Sequence, residues 1–475
     1  MAWLSGRIAR GVLVLLGCGA IAPASAQMRP LLLEDVTVVD GTDKPRVPHA
    51  SILIEDGRIA FVGPAAAAPR PTGVEVRPLP GRTVIPGLID MHAHVTTYVD
   101  AHGGGAPAGY RYDREVSEAV LRTLLAFGIT AVRNPAAPAA EGIRLRDDAA
   151  AGRIAGPRIF TAGEALDRGR PQQGPFVTVE TEADVRKEVR RQAKLGVDYI
   201  KLYTGLPEKL TAAAIAEAHA RGVAVIGHLG ATSWKDAAQL GIDGICHGAS
   251  WEARALPAQR RAAYERSAQP YLLKRVEWLA QVDLDGDDLR ATVAALVKHG
   301  VVVDPTLIAY ETKFRARDPF FVDSPDLAFV LRPLFELWKA ERPLTQDWSA
   351  EDDARARSAW RKMLALVKLY HDRGVRLVAG SDEPNPWVVP GASLHRELEL
   401  LVSAGIPAQQ VLQMATRNAA EALGISAQAG SVETGKIADL VVLSADPLQD
   451  IANTRAIELV LQRGHPIGVP AKRDR

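Results

Sequence analysis

Eight short apolar segments alternating with stretches of helical periodicity constrain this chain more than any other feature. They span 83–95, 130–134, 158–162, 198–203, 223–229, 244–247, 301–306 and 375–382. Segments between them, such as 182–195, 210–220, 289–299 and 354–371, repeat apolar residues at helical spacing. Repeated βα units specify a parallel sheet, and eight of them predict an α/β chain folded as a (β/α)8 TIM barrel. Residues 252–287 contain no clean strand and are expected to decorate the barrel after its sixth strand. Residues 64–72 read as a loop rich in proline and alanine.

Both flanks follow a different grammar. Residues 31–39, 50–55 and 58–63 alternate like strands, with Asp56-Gly57 as a hairpin turn between the last two. Near the other end, Gly435-Lys436-Ile437-Ala438-Asp439 opens a strand at 440–443, and 457–463 forms another. The expectation is a small β-sandwich domain made from both chain ends, 27–82 and 428–475, around a barrel at 83–427.

The first 26 residues read as a signal peptide. Arg7 and Arg10 precede an apolar run at 12–21, and Ala24-Ser25-Ala26 is a small-residue cleavage pattern before Gln27. The run is shorter than the ~20 residues that span a bilayer, so cleavage near Ala26/Gln27 and a periplasmic or secreted location are expected, with no membrane span afterwards. Lipidation at Cys18 is the alternative.

The 475 residues are 47% hydrophobic and 24% charged, the proportions of a globular chain. Lys plus Arg (57) and Asp plus Glu (56) nearly cancel, which leaves no basic field for nucleic acid. Two cysteines, Cys18 and Cys246, cannot build a thiolate-rich zinc or iron–sulfur site. A metal must therefore use nitrogen and oxygen ligands.

His92 and His94 stand two apart at the end of the first barrel strand, so the strand period puts both on one face. Lys201, His228, His247 and Asp382 close the fourth, fifth, sixth and eighth strands. Active sites of this fold lie at that carboxyl-terminal face, and so many potential ligands there point to a metal site.

These residues carry a resemblance to the metal-dependent amidohydrolase superfamily, in its imidazolonepropionase-like and prolidase-like (Xaa-dipeptidase) branch. The matching stretches are Val84-Ile85-Pro86-Gly87-Leu88-Ile89-Asp90-Met91-His92-Ala93-His94, Asp198-Tyr199-Ile200-Lys201, Gly227-His228, Cys246-His247-Gly248 and Gly380-Ser381-Asp382. Ala415-Thr416-Arg417-Asn418-Ala419-Ala420 and Gly435-Lys436-Ile437-Ala438-Asp439-Leu440 extend the match through nearly the whole mature chain.

The resemblance implies two divalent metal ions. His92, His94 and Asp382 would bind the more buried one, His228 and His247 the more exposed one, and Lys201 would bridge them as a carbamate. Carbamylation turns a cation into a carboxylate-like anion able to hold both ions. Zinc suits the ligand types, which also admit nickel, manganese and cobalt.

Asp382 would shuttle the proton of the attacking water. Tyr203, two residues beyond Lys201, would donate to the developing oxyanion or simply pack. Arg133 would pair with a substrate carboxylate, although Asn134 follows it where relatives carry an acidic residue. His395 reads as structural.

Amide bonds of small compounds, dipeptides and N-acyl amino acids are the expected substrates. A cyclic amidase of imidazolonepropionase type, a lactonase or a phosphotriesterase-like enzyme would use the same site. A one-metal deaminase would lack Lys201, and a metal-free binding protein would have lost ligands that are all present. A homo-oligomer is compatible with every one of these readings.

Overall fold

The computed structural model describes residues 29–96, 98–100, 110–169, 175–315, 318–340 and 347–468. The expected signal peptide, its cleavage point and Cys18 lie outside the described residues. No helix among them is long and apolar enough to cross a membrane.

Eight parallel strands organise the middle of the chain: β1 (Leu88–Asp90), β2 (Ile129–Asn134), β3 (Arg158–Thr161), β4 (Tyr199–Leu202), β5 (Ala224–Gly227), β6 (Gly244–Cys246), β7 (Val302–Asp304) and β8 (Arg376–Leu377). Strands β1, β2 and β3 form one parallel sheet. Strands β4 to β8 form a second, extended beyond β4 by Ala165–Asp167 and Phe176–Thr178. Ala162, just past β3, forms a parallel bridge with Tyr199 of β4. Ala93, just past β1, forms another with Glu383, and the Met91 amide donates to the Ala379 carbonyl at 2.9 Å.

The helices between these strands follow from local sequence. Glu182–Leu195 begins at Thr181, whose hydroxyl accepts from the Asp184 amide while the Asp184 carboxylate accepts from the Thr181 amide. It stops at Gly196, which takes φ +95°. Its inner face buries Val185, Val189 and Gln192. Residues 252–287 hold a short 3-10 helix, Ala253–Ala255, the α-helices Ala258–Arg266 and Tyr271–Gln281, and no strand, as expected.

Strands from both chain ends share one eight-stranded sheet. Leu31–Val38 pairs antiparallel with Val47–Glu55 and parallel with Thr83–Pro86, and Thr83–Pro86 pairs antiparallel with Leu440–Leu443. Their inner side chains, among them Leu33, Ile52, Leu440 and Leu461, form one apolar cluster. The hairpin at Asp56-Gly57 forms as expected, with both residues at positive φ.

The segment 83–95, expected to be one strand, is two. Thr83–Pro86 belongs to the end-built sheet and β1 to the parallel set. The break falls at Gly87, where a β-carbon would lie 2.2 Å from the Thr130 hydroxyl, so only glycine lets the chain pass between the sheets. The eighth strand is likewise shorter than 375–382: Val378 bonds to β7, Ala379 turns to the Met414 carbonyl, and Asp382 takes φ +62°.

Candidate metal centre and active site

The parallel strands end on one side, where their last residues line a cavity of about 260 Å3. Six residues expected as metal ligands, His92, His94, Lys201, His228, His247 and Asp382, all line it, and so does Tyr203. Main-chain bonds between neighbouring strand ends set these positions. The His228 amide donates to Leu202 at 3.0 Å, the His247 amide to Asp304 at 2.7 Å and the Asp382 amide to His92 at 2.7 Å. The Asp90 carboxylate accepts from the amides of His92 and Ser381 and so ties the first strand end to the last. Gly380 makes that approach feasible, since a β-carbon there would meet His92 Cβ at 2.8 Å.

Three non-glycine residues around the cavity, His247, Thr306 and Asp382, are held at positive φ. Such backbone costs about 1–3 kcal/mol per residue and persists only where the surroundings over-determine it. Here it turns His247 and Asp382 toward the cavity.

His92, His94 and Asp382 converge: one ligand atom from each lies within 4.8 Å of the others. Asp382 Oδ1 is 3.3 Å from Nε2 of both histidines. Across the cavity His247 Nε2 is 3.0 Å from His228 Nδ1. Lys201, 2% exposed, donates from Nζ to Cys246 Sγ at 2.9 Å. His92 and His247 bring the two histidine groups together, with ring centroids 5.2 Å apart.

Electrostatics suit ligation. Burial holds the imidazoles of His228 and His247 well below their ordinary value, helped by Lys201 at His228 and by His228 at His247. A neutral imidazole keeps a lone pair for a metal. Burial pushes Asp382 up, but His92 and the hydrogen bonds from His92 and His94 outweigh it, so the carboxylate stays ionised well below its usual range. His247 Nδ1 is fixed by the Thr306 hydroxyl at 2.8 Å, which leaves Nε2 toward His228.

Two placements depart from the sequence reading. Arg133 does not line the cavity: its buried guanidinium donates to Asp304 Oδ2 at 2.5 Å and to the Met91 carbonyl at 2.8 Å. It is buried and bonded inside the protein rather than exposed at the cavity. Asp304, which the sequence did not single out, takes up both Arg133 and His92 Nδ1, the latter at 2.6 Å. Its position at the end of β7 was the available signal. His395 is structural as expected, pairing with Thr454 and the Phe127 carbonyl.

The amidohydrolase family model matches residues 83–467. The chain belongs to the amidohydrolase family. The imidazolonepropionase of Agrobacterium fabrum is 24% identical over 419 residues, covering 83% of this chain and 84% of its own. A solved Xaa-Pro dipeptidase superposes with a TM-score of 0.66 at 22% identity, covering 92% of this chain and 99% of its own. A bottromycin amidohydrolase does so with 0.69 at 23% identity, covering 94% and 88%. The amidohydrolase family placement makes the chain a hydrolase acting on C–N bonds. Members of the family generally use divalent metals, and the His and Asp groups converging here are of the matching kind.

Proposed function

We propose that this amidohydrolase cleaves amide bonds of small substrates such as dipeptides or N-acyl amino acids, using two divalent metal ions, zinc by preference. The single observation that carries this reading is the convergence of His92, His94, Lys201, His228, His247 and Asp382 on one cavity at the strand ends. His92, His94 and Asp382 would hold one ion and His228 and His247 the other, with a carbamylated Lys201 as the shared ligand. The donor set fits: the His228 and His247 imidazoles kept neutral, an ionised Asp382 carboxylate, and a buried lysine within the same cavity. When bound, the ions supply an acidified water and polarise the substrate carbonyl.

The chain's own residues do the rest. Asp382 accepts the proton of the attacking water, and the oxygen bonds to the carbonyl carbon. As the C–N bond breaks, Asp382 returns that proton to the leaving nitrogen. Tyr203, set edge-on against His228 with centroids 4.8 Å apart, donates to the developing oxyanion. Phe176, Tyr271 and Tyr310 give the cavity an aromatic wall.

The architecture follows the same proposal. The eight parallel strands close into a (β/α)8 barrel, a reading supported by the bridges at Ala162–Tyr199 and Ala93–Glu383. A shared apolar cluster also supports it, with Ile89, Ala131, Ala162, Tyr199, Ile226, Val302 and Val378 packed together. The end-built sheet folds over its core as a small β-sandwich from 27–82 and 428–475, joined by Thr83–Pro86. Arg7, Arg10 and the Ala24-Ser25-Ala26 pattern support export through a cleaved leader.

A hydrolysis screen of N-acyl amino acids, dipeptides, cyclic amides and lactones with the zinc-loaded protein tests the reading. Cleavage of linear amides supports it, and cleavage of lactones alone overturns it. Cyclic-amide hydrolysis is the second reading, favoured by the likeness to imidazolonepropionases across 83% of the chain.

A further inference from the structure

One wall of the cavity carries positive charge that nothing among the described residues neutralises. Lys313, on the helix Leu307–Phe314, lines the cavity beside Tyr271, Tyr310 and Asp382, with Nζ 5.4 Å from the Tyr310 ring centroid. Arg275, on the helix Tyr271–Gln281, does not line the cavity but packs against Tyr271, which does. Its guanidinium stacks between Trp251 and Tyr271, 4.2 Å and 4.3 Å from their centroids, and donates to the Tyr271 hydroxyl. Arg275 is 7% exposed, yet its Nε and Nη1 have no hydrogen-bond acceptor. Unmet buried donors on a cation are costly and call for a partner.

No carboxylate of the described residues pairs with either cation. The one acidic residue lining the cavity is Asp382, already engaged by His92 and His94. Burial pulls the Lys313 ammonium below its ordinary value; Asp382 opposes this and Arg275 adds to it. Arg133, expected from the sequence to meet a substrate carboxylate, is spent on Asp304. Of the two lysines that line the cavity, Lys201 is assigned to the metals, so Lys313, with Arg275 packed against Tyr271 nearby, is the cation left to meet a substrate.

We propose that Lys313, supported by the charge of Arg275 packed against Tyr271, forms an anion subsite that fixes a free carboxylate of the substrate, which selects N-acyl amino acids and dipeptides with an ionised α-carboxylate over their neutral amides. The Tyr271 and Tyr310 rings flank that group. This inference rests on the amide-hydrolase reading.

The test is calorimetric binding of N-methanesulfonyl-phenylalanine and its carboxamide to the zinc-loaded full chain, since the sulfonamide is not cleaved. The acid should bind roughly 10–100-fold tighter than the carboxamide, the range of a charge-assisted hydrogen bond. Lys313→Met should erase most of that preference and Lys313→Arg should restore it, while circular dichroism shows each variant folded. Equal affinity of acid and carboxamide in the wild type, or full discrimination in Lys313→Met, would overturn the subsite. Tight, charge-selective binding in a protein that cleaves no amide would instead overturn the hydrolytic reading and leave the subsite standing.

Discussion

Asp304 Oδ1 lies 2.6 Å from His92 Nδ1, and both side chains are 1% exposed. The same carboxylate holds Arg133 through its other oxygen. Burial alone would pull the His92 imidazole down, but Asp304 and then Asp382 outweigh it and hold the ring well above its ordinary value. Asp304 thus fixes the ring so that Nε2 faces Asp382 and the cavity.

Asp304→Asn should therefore weaken metal binding about 10–100-fold, the usual cost of losing the group that orients a metal-ligating histidine. Competition against a chelator measures it. Unchanged affinity would separate Asp304 from the metal site.

Asp382→Asn should lower turnover by at least about 100-fold, the contribution of a positioned acid–base group, and leave the fold intact. Initial rates alongside circular dichroism check this. Undiminished hydrolysis would sink the proton-shuttle assignment.

Tyr203→Phe should cut kcat about 100-fold while metal content stays the same, as expected when one oxyanion donor is lost. A packing role alone predicts a change in stability with kcat intact. Steady-state kinetics with elemental analysis separates the two.

Glu397 bears on stability and its pH dependence. It accepts from the amides of Leu307 and Ile308 at 2.9 and 2.8 Å, at the start of the helix that carries Lys313. Burial pushes its carboxyl up to about 8 against these two bonds, from an ordinary 4.5. The folded chain therefore favours the protonated acid. The associated stability is fully present below about 4.5 and is lost as pH rises to about 8. Glu397→Gln should flatten the fall in melting temperature across that window; an unchanged slope would assign it to other groups.

Much of the site was legible because period two and strand ends are local. His92, His94, Lys201, His228, His247 and Asp382 stand out by position at strand ends, and the structure lines one cavity with them, while their roles as ligands remain the proposal. The end-built sheet was legible from the alternation around Asp56-Gly57 and Leu440–Leu443. Asp304 was not, although it too ends a strand, because its pairing with His92 spans 212 residues and the strand end does not say what it meets. Arg133 misled for the same reason: a strand-end arginine reads alike whether it faces a cavity or a buried carboxylate. Lys313 and Arg275 sit on helices whose periodicity says nothing of their place near the cavity. Gly87 hid a sheet crossing inside what read as one continuous apolar strand.

The proposed dinuclear site stands or falls with Lys201, which the cavity holds 2% exposed beside Cys246. Elemental analysis of the zinc-loaded wild type and of Lys201→Ala is the direct measurement. The account predicts two metal ions per chain in the wild type and fewer in the variant. A single ion in the wild type, or two full equivalents without Lys201, would contradict it.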